Sequence, residues 1–217
     1  MILAAGRGER MRPLSDVVPK PLLEVHNKAL IVWHIEKLAK NGFDAIIINL
    51  AHLGHKIPQA LGDGSKWGVQ ITYSDESECG ALESAGGIIN ALPLLGETPF
   101  LVVNGDVFCD YEFDANFELE GKLAHLILVP NPQHNPEGDF ALEGSLATNS
   151  GNKKYTFSGI AYYHPEIFRD VPKGKSALAP LLRSKIEQKL LSGALYKGVW
   201  HDIGTPERLD KINGINR

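Results

Sequence analysis

A glycine-rich loop with three arginines lies near the start of the chain. The stretch Leu3–Pro13 reads L-A-A-G-R-G-E-R-M-R-P and follows a short apolar run. Backbone N–H groups in such a loop can face a phosphate chain. Arg10 adds a fixed positive charge, with Arg12 as a second candidate, and guanidinium groups bind phosphate oxygens well. The loop therefore predicts a phosphate site.

Neither of the two familiar phosphate loops matches this stretch. A Walker A loop requires Gly-Lys-Ser/Thr after its second glycine, but Gly8 is followed by Glu9. A dinucleotide loop requires G-x-G-x-x-G, and its third position is Met11, whose bulk would block close helix packing. Further along, Lys20 stands between two prolines, which restrict the backbone and present the lysine on a stiff segment. The residue types favour a phosphate site of another kind.

Two aspartates could supply the acidic half of a metal site. Asp106 ends F-L-V-V-N-G-D, and Asp202 lies in V-W-H-D-I-G-T. They are 202 − 106 = 96 positions apart, so only the fold can bring them together. Magnesium prefers one or two carboxylates together with phosphate oxygens and water. Either aspartate alone would more often be a turn or cap residue, whereas the pair beside a phosphate loop favours Mg²⁺.

Alternating strand and helix patterns would position these residues. In the first half, strands are predicted at 1–5, 45–49, 69–74 and 99–104, and helices at 30–41 and 84–92. Continuous apolar strands between helices are typical of a parallel sheet covered on both faces. Ligands bind such sheets at the carboxyl ends of the strands. We therefore expect the Gly6 loop, the 104–106 corner and the loop after Asn49 on one rim.

The second half is less regular. It predicts strands at 125–129, 155–163 and 196–203, a helix at 178–191, a loop over 130–152, and a last helix that begins at Thr205. No linker divides the chain, so we expect one domain over residues 1–217. The predicted fold class is α/β: a single-domain, Rossmann-like three-layer sandwich with a mostly parallel central sheet.

The composition excludes several classes of function. The net charge is 22 − 26 = −4 without a basic run, which disfavours nucleic-acid binding. No apolar stretch approaches the ~20 residues of a membrane span. The two cysteines, Cys79 and Cys109, have neither zinc-site nor disulfide-framework spacing, so a reducing cytoplasm is the simplest expectation. Local cations must therefore bind any anionic ligand.

The joint pattern L-A-A-G-x-G-x-R-M-x-P and P-K-P-L resembles the sugar-1-phosphate nucleotidyltransferase family. The resemblance implies the nucleotidyltransferase fold, Mg²⁺ on Asp106 and Asp202, and catalytic roles for Arg10 and Lys20. It implies nucleotide contacts by Leu3, Ala4, Ala5, Gly6, Gly8, Glu78, Glu83, Ser84 and Gly105. It implies sugar-phosphate contacts by Asn104, Gly138, Asp139, Ser158 and Gly159. Glu76 is an alternative to Glu78 for reading the base, since the usual L-G-T turn is altered here.

Several further stretches resemble one subgroup, the N-acetylmuramate-1-phosphate uridylyltransferases of bacterial peptidoglycan recycling. They include L-E-S-A-G-G-I at 82–88, V-N-G-D-V at 103–107 and L-A-P-L-L-R at 178–183. This resemblance implies UTP and a sugar 1-phosphate as substrates, no nucleic-acid or membrane partner, and a monomer or weak dimer. The lactyl carboxylate of muramate would favour a nearby cation, with Arg183, Lys173 and His52 as open candidates.

Other functions remain as alternatives. Within the family, these are guanylyl transfer to mannose 1-phosphate and thymidylyl or uridylyl transfer to glucose 1-phosphate. A non-catalytic nucleotide-sugar sensor on the same fold should have lost Arg10, Lys20 or an aspartate, and all are present. An NAD-dependent enzyme is disfavoured by Met11 and Arg10 in the glycine loop.

Overall fold

The computed structural model describes residues 1–77 and 80–214, which form a nine-stranded central sheet, two short ribbons and six α-helices. The strands are β1 Ile2–Leu3, β2 Glu24–Val25, β3 Lys28–Ala29, β4 Ala45–Leu50, β5 Gln70–Asp75, β6 Phe100–Asn104, β7 Val107–Cys109, β8 Ala124–Val129, β9 Phe140–Glu143, β10 Leu146–Thr148, β11 Lys154–Tyr163, β12 Leu191–Leu195 and β13 Trp200–Asp202. The helices are α1 Leu14–Val17, α2 Leu30–Lys40, α3 Lys56–Leu61, α4 Glu83–Leu95, α5 Leu178–Glu187 and α6 Pro206–Ile212.

The central sheet has the strand order β5-β4-β1-β6-β11-β8-β12-β10-β9. Its first four strands are parallel, whereas β11 runs antiparallel to both of its neighbours and only the β8–β12 pair is parallel in the second half of the described sheet. The carboxyl ends of β1, β4 and β6 therefore meet at one edge, as predicted. The parallel pattern holds for the first half, and the complete sheet is mixed.

Helices cover both faces of the sheet and make the three layers that the sequence predicts. On one face, α4 and α5 bury Ile88 and Leu182 against the sheet. On the other face, α2 and α3 bury Ile35 and Ile57. Among the described residues, no helix combines the length and the apolar character needed to cross a membrane. The central sheet contains strands from both halves of the chain. A single domain over residues 1–217 remains a prediction.

The second half departs from the predicted elements. The predicted loop 130–152 contains the β9–β10 hairpin, whose two-residue turn places Gly144 at φ 60, a conformation that glycine adopts readily. The predicted helix 178–191 ends at Glu187, and the chain continues into β12, which pairs in parallel with β8. The last predicted strand, 196–203, is shortened to β13. Polar composition concealed the hairpin, and the apolar residues of β12 resembled a continuation of the helix.

Two prolines lie inside helices. Pro58 occupies the first turn of α3, where a backbone N–H would have no partner within the helix. Pro93 lies in the last turn of α4, which extends three residues beyond the predicted helix 84–92 and ends at Leu95. Pro58 therefore costs α3 no hydrogen bond, whereas Pro93 lacks the N–H that would donate to the Ile89 carbonyl, and α4 ends two residues later.

A small third core lies beside the glycine loop. Met11 is fully buried there against Leu30, Ile203 and Leu209. The Met11 side chain thus connects the loop after β1 to the segment that follows β13 and to α6. This contact fixes the end of the loop relative to the carboxyl end of the chain.

The amino end of α4 packs tightly against the segment before α5. The N–H groups of Ala85 and Gly86 donate to the Ser176 carbonyl at 3.0 and 3.1 Å, and the Ser176 N–H donates to the Leu82 carbonyl at 2.9 Å. A Cβ atom at Gly86 would lie 2.3 Å from the carbonyl oxygen of Gly174. Glycine at position 86 is therefore a requirement of this backbone contact.

We predict that Gly86→Ala destabilises the protein by about 1 to 2 kcal/mol, because overpacking against backbone outweighs the ~0.5–1 kcal/mol gained in helix propensity. Urea unfolding measures the change. Gly6→Ala is the control for stability, because nothing lies within 4 Å of a Cβ atom at that position. An unfolding midpoint for Gly86→Ala equal to that of the unchanged protein would contradict the packing role.

Candidate active site

A pocket of roughly 210 Å³ opens at the carboxyl ends of β1, β4 and β6. It is lined by Leu3, Ala4, Ala5, Gly6, Gly8, Lys20, Pro21, Asn49, Glu76, Ala81, Glu83, Ser84, Asn104 and Asp106. The fold thus brings together most residues that the sequence assigns to the nucleotide, together with Lys20 and Asp106. Glu78 lies outside the described residues. We call this cavity the nucleotide pocket.

A buried hydrogen-bond network shapes the floor of this pocket. The Ala4 N–H donates to Asn49 Oδ1 at 2.7 Å, and Asn49 Nδ2 donates to Glu76 Oε1 at 2.7 Å. The other oxygen of Glu76 accepts the Leu82 N–H at 3.0 Å. A Cβ atom at Gly87 would lie 2.7 Å from Glu76 Oε1, so glycine there leaves room for the network. The network joins the glycine loop to the start of α4.

This network changes the roles expected for Glu76 and Asn49. Glu76 was an alternative base-reading residue, but both its oxygens already accept protein donors and only 2% of its surface is exposed. Asn49 was not predicted as a site residue, although a polar residue at the end of the apolar strand A-I-I-I-N was a usable signal. Both residues support the pocket, and Glu83 and Ser84 lie closer to its opening.

Glu83 starts α4 in a conformation that usually favours glycine. Its φ is 62°. In the L-G-T-A-G turn of the family that the sequence resembles, glycine occupies this position. A left-handed conformation costs a non-glycine residue about 1–2 kcal/mol, and such residues cluster at functional sites. The Glu83 carboxylate pairs with Lys175 at 3.4 Å. The turn is therefore strained and lies at the pocket wall.

Lys20 and Asp106 form an ion pair in the nucleotide pocket. Lys20 Nζ lies 2.5 Å from Asp106 Oδ2, and the side chains are 11% and 34% exposed. Lys20 begins a short 3₁₀ turn over 20–22 that follows Pro19. The pair places the predicted phosphate-binding cation and the predicted metal-binding carboxylate side by side, where each neutralises the other.

The β7–β13 ribbon brings the second aspartate to this region. Asp202 pairs with Val107 in the antiparallel register, and the Ile203 N–H donates to the Asp106 carbonyl at 2.8 Å. Residues 96 positions apart thus become backbone neighbours. The Asp202 carboxylate contacts Arg208 Nη1 through one oxygen and His134 Nε2, at 3.1 Å, through the other.

The sequence did not identify Arg208 and His134 as site residues. Arg208 lies in the first turns of α6, which Thr205 caps by accepting the Arg208 N–H. The signal available for Arg208 was its position six residues after Asp202. His134 belongs to the loop before β9, and only the tertiary fold brings it to Asp202. Both residues orient the Asp202 carboxylate.

Arg10 lies at the junction of these segments. It belongs to the 3₁₀ turn over 9–11 that buried Met11 anchors. A Cβ atom at Gly204 would lie 3.5 Å from Arg10 Nη2 and 3.3 Å from Asp202 Oδ2. Arg10 therefore borders Asp202, while Lys20 borders Asp106. The two predicted cations accompany the two predicted carboxylates.

Asp106 and Asp202 fit a magnesium site by their chemistry. Among residues 1–77 and 80–214, there is no group of three or more His, Cys, Asp or Glu side chains that could hold a metal ion. A site built only from protein ligands is therefore not indicated there. Mg²⁺ in nucleotide enzymes commonly uses one or two carboxylates and takes its other ligands from phosphate and water. The two carboxylates match that donor set by type, and their backbones adjoin. The Asp202 side chain lines a different pocket, together with His134 and Arg208, so a metal ion shared by both aspartates stays a prediction.

A second pocket of roughly 440 Å³ adjoins the first and shares Glu83, Ser84 and Asn104 with it. Its other lining residues are Asp139, Phe140, Phe157, Ala177, Leu178, Ala179, Leu182 and Arg183. Two predicted sugar-phosphate residues, Asn104 and Asp139, therefore line this cavity. We call it the acceptor pocket.

The remaining predicted sugar-phosphate residues support this wall through the backbone. The Ser158 hydroxyl is buried, donates to the Ile127 carbonyl at 2.7 Å and accepts the Ile160 N–H at 3.1 Å. The hydroxyl is therefore engaged within the protein, and the contact of Ser158 with the sugar phosphate stays a prediction. Gly159, at φ 79, lies against the Asn104 amide, since a Cβ atom there would be 2.5 Å from Asn104 Nδ2.

Two further glycines also act through close backbone approach. Gly138 has φ 64, and a Cβ atom there would lie 2.8 Å from Asn131 Oδ1. The Gly105 N–H donates to the Leu3 carbonyl at 2.8 Å, which connects the corner after β6 to β1. Asp139 accepts the Phe157 N–H at 2.8 Å and Asn135 Nδ2 at 3.2 Å through the same oxygen. These contacts position the acceptor pocket beside the nucleotide pocket.

The fold and the site together define a nucleotide-binding α/β enzyme that acts on phosphate groups. The family model described as nucleotidyl transferase matches residues 1–215, and the chain belongs to this family. The assignment agrees with the glycine loop, Lys20 and the two aspartates at the carboxyl ends of the strands.

Individual relatives cover nearly the whole chain. An N-acetylmuramate alpha-1-phosphate uridylyltransferase from Neisseria meningitidis serogroup B is 52% identical over 99% of this chain and 96% of its own length. A protein of the same name from Caulobacter vibrioides is 30% identical over 95% of this chain and 92% of its own. A crystal structure of a glucose-1-phosphate thymidylyltransferase from Bacillus anthracis superposes with a TM-score of 0.85 at 21% identity, covering 100% and 95% of the two chains, and shows the shared fold.

A buried histidine, His34 on α2, lies near Val107 and Asp106. Burial lowers the pKa of His34 from 6.5 to about 4, with a smaller lowering contribution from Lys37. Its Nε2 atom has no hydrogen-bond partner among the described residues. The His34 ring is therefore neutral in the folded protein at pH 7.

We predict that the free energy of unfolding decreases as pH falls, because folded His34 resists protonation. The unfolded chain takes up a proton near pH 6.5, whereas folded His34 does so only near pH 4, so stability present above pH 6.5 is lost between these values. Between pH 7.5 and pH 5 the loss should be on the order of 2 kcal/mol. Urea unfolding at both pH values compares the protein with His34→Gln. Equal pH dependence of the two proteins would refute this assignment.

Proposed function

We propose that the protein transfers a uridylyl group from UTP to N-acetylmuramate 1-phosphate, giving UDP-N-acetylmuramate and pyrophosphate. The observation that carries this proposal is the 52% identity, over nearly the full length of both chains, to a relative with that activity in its name. The nucleotide pocket and the adjoining acceptor pocket are consistent with two substrates that meet end to end. The reaction would serve peptidoglycan recycling in the cytoplasm.

The chemistry requires alignment and charge neutralisation. A sugar 1-phosphate is largely a dianion at neutral pH, because its second pKa is about 6. One of its oxygens attacks the α-phosphorus of UTP, the bond to the bridging oxygen of the β-phosphate breaks, and pyrophosphate leaves in line. No proton has to be removed from the nucleophile, so no general base is needed.

In this reaction the basic side chains would bind phosphate groups, and the acidic side chains would bind the metal ion. Lys20 would leave Asp106 and bind the attacking phosphate, and Arg10 would bind the transferred phosphate and the leaving pyrophosphate. Asp106 and Asp202 would hold Mg²⁺, which supplies further neutralisation of phosphate charge when bound. Arg208 and His134 would keep the Asp202 carboxylate oriented.

The remaining site residues would contact the two substrates at their other ends. The glycine loop, Gly105 and the turn of Glu83 and Ser84 would surround the nucleotide, and Glu78 is proposed for the base. Asn104 and Asp139 would contact the sugar, with Gly138, Ser158 and Gly159 shaping the wall. We also propose a monomer or weak dimer, with no nucleic-acid or membrane partner.

We expect release of pyrophosphate when the protein, Mg²⁺ and UTP are combined with N-acetylmuramate 1-phosphate. Each nucleoside triphosphate should be tested with N-acetylmuramate, glucose and mannose 1-phosphates. Faster turnover of GTP with mannose 1-phosphate, or of glucose 1-phosphate, would replace the proposed substrates. No release with any pair would contradict the enzymatic function.

Asp106→Asn and Arg10→Ala should each lower kcat at least ~100-fold, since each removes charge stabilisation at the reacting phosphates. Asp63→Asn is the matched control, because Asp63 is exposed and lies on the loop after α3. Circular dichroism should show unchanged folding for all three variants. A folded Asp106→Asn variant with near-normal kcat would exclude the proposed role of that carboxylate.

A further inference from the structure

An arginine lines the acceptor pocket but not the nucleotide pocket. Arg183 lies on α5 and lines the cavity together with Leu178 and Leu182. Glu83, Ser84 and Asn104 line both pockets and therefore mark where the two cavities adjoin. A sugar whose phosphate is at Asp106 would therefore extend toward Arg183.

Arg183 supplies the positive charge in the lining of this pocket, and no carboxylate of the described residues pairs with it. None of the ion pairs formed by residues 1–77 and 80–214 includes Arg183. The nearby carboxylates are already engaged, Glu83 by Lys175 at 3.4 Å and Asp139 by the Phe157 N–H at 2.8 Å. The guanidinium group is thus available for an acidic ligand.

Two contacts fix the position of Arg183. Its guanidinium lies 5.2 Å from the centroid of the Phe140 ring, and Phe140 is only 2% exposed. Its backbone carbonyl accepts Asn149 Nδ2 at 2.9 Å. An arginine stacked on an aromatic face keeps the N–H groups at its edge free to donate. The stack therefore presents a directed pair of donors.

The two other candidate cations, His52 and Lys173, line neither of these pockets. His52 Nε2 lies 2.9 Å from the Ser15 carbonyl. The acceptor pocket also contains apolar side chains from α5 and β11, which suit the body of a sugar substituent. Its lining thus combines apolar surface with the carboxylates of Glu83 and Asp139 and with one guanidinium that none of the described ion pairs includes.

We infer that Arg183 is the specificity-determining residue that binds a carboxylate carried by the sugar. This inference rests on the proposed function, whose acceptor carries a lactyl carboxylate. A guanidinium binds a carboxylate through two parallel charge-assisted hydrogen bonds. Sugar hydroxyl groups alone would not require a full positive charge there. Arg183 thereby distinguishes an acidic acceptor from its neutral analogues.

The test compares N-acetylmuramate 1-phosphate with the methyl ester of its lactyl group, using UTP and Mg²⁺. For the unchanged protein, the ester should have a kcat/KM about 10-fold to 100-fold lower, as expected for loss of hydrogen bonds to a charged group. In Arg183→Gln this ratio should fall to within about twofold, because the discriminating charge is gone. Arg169→Gln is the control, since exposed Arg169 pairs with Glu166 and lines neither pocket.

The outcomes separate this inference from the proposed function. Turnover of acid and ester at equal kcat/KM by the unchanged protein would overturn the role of Arg183 and leave uridylyl transfer intact. Retained discrimination in Arg183→Gln would overturn it as well. Absence of turnover with both acceptors would instead contradict the proposed function. The comparison of acid with ester needs no variant, so it stands even if Arg183→Gln folds poorly.

Discussion

The ion pair between Lys20 and Asp106 is the interaction on which the rest of the site depends. Two opposite charges lie at a solvent-accessible edge, and at 2.5 Å each satisfies the other in the absence of substrate. In the proposed function, a triphosphate with its metal would offer both groups a stronger partner, so the pair would separate when the substrate binds. The parallel pairing of β1 with β6 makes this possible, because it brings the glycine loop beside the corner that carries Asp106.

A second constraint connects the two ends of the chain. Met11 packs with Ile203 and Leu209 in the small third core, and the β7–β13 ribbon aligns Asp202 with Val107. These contacts place both Arg10 and Asp202 beside Gly204. The charge that would act on the leaving pyrophosphate and the second carboxylate are therefore positioned by the same packing. Loss of that packing would disturb both together.

The local parts of the site were predictable from the sequence, whereas its tertiary contacts were not. The glycine loop, Lys20 and Asp106 follow short motifs at strand ends, so the alternation of strands and helices predicts their meeting. The pairing of Asp202 with Arg208 and His134 depends on sheet register and loop path, which no local pattern specifies. The pairing of β11 with β8 shifts register between Phe157 and Ile160, and the Ser158 hydroxyl there donates to the Ile127 carbonyl, a local irregularity that the sequence pattern does not specify.

A structure of the protein with UTP and Mg²⁺, determined without the sugar acceptor, would test the central claim most directly. We expect the triphosphate in the nucleotide pocket, a metal ion on the carboxylates of Asp106 and Asp202, and Lys20 Nζ moved from Asp106 to a phosphate oxygen. A triphosphate bound elsewhere, or bound with the metal away from both carboxylates and the Lys20–Asp106 pair intact, would contradict the proposed division of charge.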